Sequence, residues 1–310
     1  MQAVRFAKAL ADETRVRLVN LLLNHELNVG EIVQALGMGQ SRVSRHLRIL
    51  AESGLVRVRR EGLWAFYSAV EEGPARTFLD AAAVLWGPDG EHEPQLDADL
   101  EAAREAIHRR VQDTRRFFDA VAPEWGSLNR EILGDLDLAG EIASRAFGHG
   151  TVNAAADLGC GPGDLLARLA GQAKTVIGVD NSARMLELAR ERFQDRGDLS
   201  LRIGELTHLP LRDGEADLAV LSLVLHHLSD VGAAVAEAAR VLAPSGRLLV
   251  AEFDRHDLEA MREEYGDHRL GIEKKDMRRF LERAGCAILD EHVFSVRRGL
   301  SVVLYNAVKQ

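Results

Sequence analysis

Apolar residues in the first seventy positions recur at helical spacing and then switch to alternation. Val16, Val19, Leu22 and Leu23 fall on one face of a helix that Asp12 is placed to N-cap. A second periodic stretch at 29–36 is followed by Gly37-Met38-Gly39 and a third stretch at 40–53, in which Val43, Leu47 and Leu50 share a face. Helix, glycine-containing turn and helix is the pattern of a helix-turn-helix. Past Gly54, Leu55-Val56-Arg57-Val58-Arg59-Arg60 alternates apolar and basic positions, and Leu63-Trp64-Ala65-Phe66-Tyr67 follows the Glu61-Gly62 turn, which predicts a β-hairpin.

Helical patterns follow at 74–86 and 97–118. Between them lies the chain's clearest breaker cluster, Gly87-Pro88-Asp89-Gly90-Glu91-His92-Glu93-Pro94, the predicted linker. From about residue 152, short apolar runs at 154–158, 175–179, 199–203, 218–222 and 247–253 alternate with amphipathic helical stretches, which predicts a parallel sheet covered by helices on both faces. Two last runs, 287–294 and 301–307, are joined by Arg297-Arg298-Gly299 and predict an antiparallel hairpin closing the sheet. The expected divisions are a winged helix-turn-helix over 1–72, a helical linker and dimerisation region over 73–114, and an α/β domain over 115–310.

At 310 residues the chain suits two domains, and 46% hydrophobic with 28% charged residues is ordinary for a globular protein. No window approaches the ~18 uninterrupted apolar residues of a membrane span, so no membrane partner is expected. Met1–Lys8 holds no apolar core ending in a cleavage site, and the two cysteines, Cys160 and Cys286, are far apart. Both point to a cytoplasmic location and exclude a disulfide scaffold or a CxxC zinc site. The net charge of −9 is unevenly spread. Residues 1–70 hold 10 basic and 6 acidic residues (+4), and the remainder 29 basic and 42 acidic (−13). Such a split suits a chain whose N-terminal part alone meets nucleic acid.

Opposite the apolar face of 40–53 lie Gln40, Ser41, Arg42, Ser44, Arg45 and Arg48. Gln pairs with adenine, Arg with guanine, and hydroxyls with either, so this face is suited to base edges and phosphates. Arg57, Arg59 and Arg60 on the hairpin are placed for flanking phosphates or a minor groove. The competing reading is a solvated basic helix in a protein–protein module.

The segments Phe6–Leu18, Gln40-Ser41-Arg42-Val43-Ser44-Arg45-His46-Leu47-Arg48-Ile49-Leu50, Ser53-Gly54-Leu55-Val56 and Gly62–Tyr67 closely resemble the ArsR family of winged-helix repressors. That resemblance covers roughly the first 70 residues and implies a homodimer on inverted-repeat double-stranded operator DNA. Asn28 and Gly30 stand where the family's metal sensors have thiolates, so metal sensing is not expected there.

At the end of the 154–158 run stands Asp157-Leu158-Gly159-Cys160-Gly161-Pro162-Gly163-Asp164. Glycines between strand and helix let the backbone turn tightly and approach a ligand. Their Gly-x-Gly-x-Gly spacing differs from the Gly-x-Gly-x-x-Gly that sets a pyrophosphate on a helix N-terminus, making a nicotinamide cofactor the lesser reading. Val176-Ile177-Gly178-Val179-Asp180 ends the next run in a carboxylate, near the ~20-residue spacing of a ribose-binding acid. Asp180 can accept both ribose hydroxyl protons, or stand as a solvated strand-end acid. After the third run, Glu205 in Gly204-Glu205-Leu206 is placed to hold an adenine amino group.

This ordered set resembles the class I S-adenosylmethionine (SAM)-dependent methyltransferases, particularly those related to quinone biosynthesis, over about 115–310. The resemblance implies a doubly wound, Rossmann-like α/β domain with a mostly parallel seven-stranded sheet and an antiparallel C-terminal hairpin. It implies SAM or S-adenosylhomocysteine (SAH) as cofactor. Asp157, Gly159, Gly161 and Gly163 would line the methionine end, Asp180 the ribose, and Glu205 with Leu206 the adenine. Ser222 and Leu223 would lie beside the amino acid moiety, and Asn181 and Met185 complete the set. Glu205 departs from the commoner Asp.

Methyl transfer is largely alignment, and a base is needed only when the acceptor must lose a proton. His226 and His227 are the catalytic candidates, with packing and helix capping as the alternative. Glu252, Asp254, His256, Asp257 and His268 form a polar cluster without tight ligand spacing, and no metal is expected. Phe117, Phe118 and Trp125 would form a lid or ordinary core. The fused layout is similar to SAH-responsive regulators of methionine-cycle genes, which implies a repressor with SAM or SAH as effector. The alternative is a working methyltransferase on a small-molecule acceptor whose DNA module regulates its own operon.

Overall fold

The computed structural model describes residues 1–61, 64–86, 93–147, 152–194 and 196–310, and the chain divides into two compact units, Met1–Asp113 and Thr114–Gln310. The linker positions 87–92 and the hairpin turn at Gly62 and Leu63 lie outside the described residues.

The first unit runs α1 (Gln2–Leu10), α2 (Glu13–Asn24), β1 (Leu27–Asn28), α3 (Val29–Leu36), α4 (Gln40–Ser53), β2 (Val56–Glu61), β3 (Trp64–Ala69), α5 (Gly73–Ala83) and the start of α6 (Pro94–Val121). Asp12 caps α2 by accepting from the Arg15 N–H, as the periodicity predicts. Asn28 and Glu31 form a capping box on α3, whose end is turned by Gly37 at φ +64. The position where a thiolate was considered thus has a structural job, satisfying N–H groups that the first helical turn leaves unpaired. Val43, Leu47 and Leu50 of α4 are fully buried among Leu18, Leu21, Leu27 and Ile32. β2 and β3 pair antiparallel as expected, and the short β1 adds a third strand on β3 that sequence alternation does not show. Two residues are too few to carry a period. Ala75 and Leu79 of α5 and Ala103 of α6 join the same core, so the stretch read as a linker helps to build the first unit.

The second unit holds the end of α6, α7 (Trp125–Leu133), α8 (Leu138–Phe147), β4 (Val152–Leu158), α9 (Leu166–Leu169), β5 (Ala173–Asp180), α10 (Ala183–Arg192), β6 (Leu199–Ile203), β7 (Ala216–Ser222), α11 (Val231–Arg240), β8 (Leu242–Phe253), α12 (Ala260–Tyr265), α13 (Lys274–Arg283), β9 (Cys286–Ser295) and β10 (Ser301–Lys309). The seven strands are ordered β6-β5-β4-β7-β8-β10-β9. The first five are parallel, and β10 runs antiparallel to both β8 and β9. Side chains alternate between two cores. Ala156, Leu158, Ala219, Leu221, Leu248 and Val250 face α11 and α13, whereas Ala155, Leu218, Val220 and Leu249 face α8, α9 and α10. Burial on both faces explains why these strands read as near-continuous apolar runs. β8 begins five residues before the predicted run, passing Pro244-Ser245-Gly246 through a register shift against β7, with Ser245 at φ +61. No described helix is long and apolar enough to cross a membrane.

Candidate functional site

The strand order reverses between β4 and β7, because the chain builds outward from β4 to β6 and then returns. In open α/β sheets, ligands lie at the carboxyl ends of the strands beside such a switch point. The Gly159–Gly163 loop sits there, with Gly159, Gly161 and Gly163 at φ +85, +50 and +89. All three conformations favour glycine. A Cβ at Gly159 would come 2.6 Å from Val224 Cγ2, and one at Gly163 2.7 Å from Phe193. At Gly161 the nearest atom is Trp125 Nε1 at 3.8 Å, leaving its backbone open to a ligand.

Both carboxylates expected in this pocket are present. Asp180 accepts from the Gly161 N–H at 2.8 Å and the Ser182 N–H at 2.9 Å, one on each oxygen. It therefore braces the glycine loop as well as facing the site. A carboxylate oxygen has two lone pairs, so each retains capacity for a hydroxyl. Burial raises its pKa, against the lowering effect of those N–H bonds; the solvated strand-end alternative does not describe it. Asp157 is 2% exposed, and its Oδ2 has no hydrogen-bond partner among the described residues. Burial, with the charges of Asp180 and Asp164, pushes its carboxyl up to about 8. A buried carboxylate without a partner fits a cationic ligand group, such as the ammonium of an amino acid. Glu205 is exposed and receives the Asn181 side-chain amide at 3.2 Å. Met185 is buried behind Ser182, Leu206 is buried, and Ser222 ends β7 half-buried. Leu223 leaves β7 at φ +51, with its N–H bonded to the Ala251 carbonyl. A left-handed leucine costs about 1–3 kcal/mol and marks a site held by its surroundings.

Two residues that sequence reasoning missed, Ser182 and Asp119, meet beside Asp180. Ser182 Oγ donates to Asp119 Oδ1 at 2.6 Å and accepts the Met185 N–H, joining the end of α6 to the start of α10. The Ser at the N-cap of α10 was the available signal; its partner 63 positions away carried none. The rings of Phe118 and Trp125 meet edge-on at 5.5 Å, and Phe118 meets His227 at 4.7 Å. Of the three aromatics, Trp125 reaches the glycine loop at Gly161, whereas Phe117 packs against Gly266.

His226 and His227 are buried, their ring centroids 4.0 Å apart. His226 Nδ1 lies 2.6 Å from Glu252 Oε1 and its Nε2 3.6 Å from Asp267 Oδ1. Burial alone would lower its pKa, but the two carboxylates raise it. His227 is held well below the ordinary value by burial and by its neighbour's charge. Of the expected polar cluster, Glu252 bonds His226 through its side chain, and His268 Nε2 lies 2.5 Å from Thr114 Oγ1.

In the first unit, α4 presents Gln40, Ser41, Arg42, Arg45 and Arg48 exposed and Ser44 half-exposed on the face away from the core. Among the described residues, Arg45 and Arg48 pair with no acidic group. Arg42 donates to Thr14 Oγ1 at 3.0 Å. Arg59, expected on the hairpin for phosphates, is held by Glu26 through bonds of 3.0 and 2.8 Å and stacks 4.6 Å over the Phe66 ring. Arg60 is exposed on β2.

Comparison with known proteins finds a match for each of the two domains. Residues 12–58 match the model described as bacterial regulatory protein, arsR family, and residues 156–250 match the methyltransferase domain. The chain is 30% identical over 173 residues to the ubiquinone/menaquinone biosynthesis C-methyltransferase UbiE of Cellvibrio japonicus, covering 54% of this chain and 70% of that protein. The chain belongs to the methyltransferase-domain family, with an arsR-family winged-helix domain in front. This arsR–methyltransferase chain is also 39% identical over 168 residues to an uncharacterized 37.1 kDa protein in transposon TN4556 of Streptomyces fradiae. It spans about half of that relative, 47%, with 49% of its own length. The crystal structure of the [4+2]-cyclase SpnF shares the fold, with a TM-score of 0.54 at 19% identity over 63% of this chain and 94% of that one.

Proposed function

We propose that this protein is a DNA-binding transcriptional repressor whose C-terminal domain takes SAM or SAH as effector, with methionine-cycle genes as its targets. It would bind an inverted-repeat operator as a homodimer, reading bases with α4. The observation that carries this reading is the double engagement of α6. In the first unit Asp99 of α6 holds Arg17 of α2 through two bonds of 2.6 and 2.7 Å, and Arg110 of α6 holds Glu31 of α3 at 2.8 Å. In the second unit the same helix supplies Phe118, which meets His227, and Asp119, which meets Ser182 beside Asp180. A ligand that repositions the pocket end of α6 would bias the helices that carry α4, a population shift with two identifiable ends.

Fluorescence anisotropy of a labelled fragment upstream of the gene, titrated with protein at fixed salt and then with SAH or SAM, tests this. SAH is expected to change operator affinity about tenfold, ~1.4 kcal/mol of coupling. Asp180→Ala should keep apo operator binding and lose the SAH response. Unchanged operator affinity at saturating SAH would overturn the effector role.

A second reading, a methyltransferase on a small-molecule acceptor with an autoregulatory DNA module, is favoured by the buried His226–His227 pair beside the pocket and by the identity to a quinone C-methyltransferase. In it SAM would supply the methyl group, Asp157 and Asp180 would hold the cofactor, and His227 would face the acceptor. Transfer of labelled methyl from SAM to a demethylated quinol would select it.

A further inference from the structure

Asp267 is 4% exposed, and neither of its carboxylate oxygens has a hydrogen-bond partner among the described residues. A carboxylate buried in this way is strongly disfavoured unless a cation sits against it. Two imidazoles face it: His226 Nε2 lies 3.6 Å and His227 Nδ1 3.9 Å from Asp267 Oδ1. One ligand-capable atom from each of the three residues falls within 4.8 Å of the others. Ligand atoms around a tetrahedral zinc ion stand ~3.4 Å apart, so a contraction of at most about 1.4 Å closes the set.

The bonds behind the rings point the same way. Gly266 O, 3.2 Å from His227 Nδ1, can only accept, so that nitrogen carries the proton. His227 Nε2, also buried without a partner, then keeps its lone pair and is the nitrogen this residue would offer to an ion, whereas the Nδ1 that stands 3.9 Å from Asp267 Oδ1 is the protonated one. His226 Nδ1 faces Glu252 Oε1 at 2.6 Å, which leaves Nε2 toward Asp267. Glu252 is itself fixed by the N–H groups of His226 and Phe253. Imidazoles whose far nitrogens donate to a carboxylate and a carbonyl have the outer support typical of metal-ligating histidines.

We infer that His226, His227 and Asp267 form a binding site for a divalent transition-metal ion, of the zinc or iron(II) kind, beside the proposed cofactor pocket. Two imidazoles and a carboxylate suit a borderline ion and leave at least one coordination position for water or an oxygen of a bound small molecule. The position is functionally placed, because His227 touches Phe118, which touches Trp125 at the glycine loop.

The full-length chain, stripped with chelator and dialysed, would be titrated with Zn²⁺ by calorimetry and with Co²⁺ by visible absorption. One equivalent per chain is expected, with Co²⁺ d–d bands and no thiolate charge-transfer band. Asp267→Asn should weaken binding at least tenfold and Glu252→Gln about 10–100-fold, whereas His292→Ala, at an exposed histidine elsewhere, should not. Circular dichroism identifies any variant that fails to fold, and the wild-type Co²⁺ spectrum then decides on its own. Absence of stoichiometric binding, a thiolate band, or full retention in folded Asp267→Asn would overturn the site and leave His226 as a buried cation between two carboxylates. None of these results bears on SAH binding, so the outcome is separable from that of the effector reading.

Discussion

Asp157, next to last in β4, is a carboxyl with one oxygen unpartnered and a pKa raised to about 8 by burial and by the charges of Asp180 and Asp164. At pH 7 it is therefore mostly neutral in the free protein. Pairing with the ammonium of SAH favours the ionised form, so binding should expel a proton. Calorimetry of SAH binding in two buffers of different ionisation enthalpy should show close to one proton released near pH 7 and none near pH 9.5. Asp157→Asn should abolish the release; a buffer-independent enthalpy for the wild type would remove Asp157 from the ammonium contact. Asp180 was legible in the sequence because it terminates an apolar run, and Asp157 because it opens the glycine-rich stretch at the end of one. Asp267 was not, since it sits in an irregular segment forty residues beyond the histidines it faces.

Helix α4 could be read almost whole from its period: the buried Val43, Leu47 and Leu50 define one face, and the polar face follows by subtraction. What periodicity does not give is which arginines are occupied. Arg45 is exposed and unpaired among the described residues, whereas Arg42 is tied to Thr14 and Arg59 to Glu26. Arg45→Ala is accordingly expected to weaken operator binding by about 1–3 kcal/mol, while leaving SAH affinity unchanged. Anisotropy across several operator variants checks it, and normal affinity would take Arg45 out of the readout.

At the scale of the molecule, α6 runs from Pro94 to Val121, and the boundary between the two units lies inside it at residues 113 and 114. Breaking one partner of a buried ion pair such as Arg17–Asp99 costs about 3–5 kcal/mol, so the N-terminal half of α6 is firmly attached to its own unit. Insertion of two glycines between Asp113 and Thr114 should leave DNA binding and SAH binding each near wild type and remove the dependence of one on the other. Persistent coupling in that variant would show that the signal takes another route.

By itself the sequence determined the helix-turn-helix, the hairpin and the seven strands of the sheet, because their apolar positions recur at a helical or strand period or form short runs bounded by breakers. It also placed the glycine loop and the two strand-end acids, since these lie at fixed offsets along one βαβ progression. Only the tertiary structure decided which distant side chains meet: Asp119 with Ser182, Arg59 with Glu26, and the two histidines with Glu252 and Asp267. Local pattern records what a residue does with its neighbours three or four positions away. Pairings across dozens of residues depend on how the layers stack, and no period encodes them.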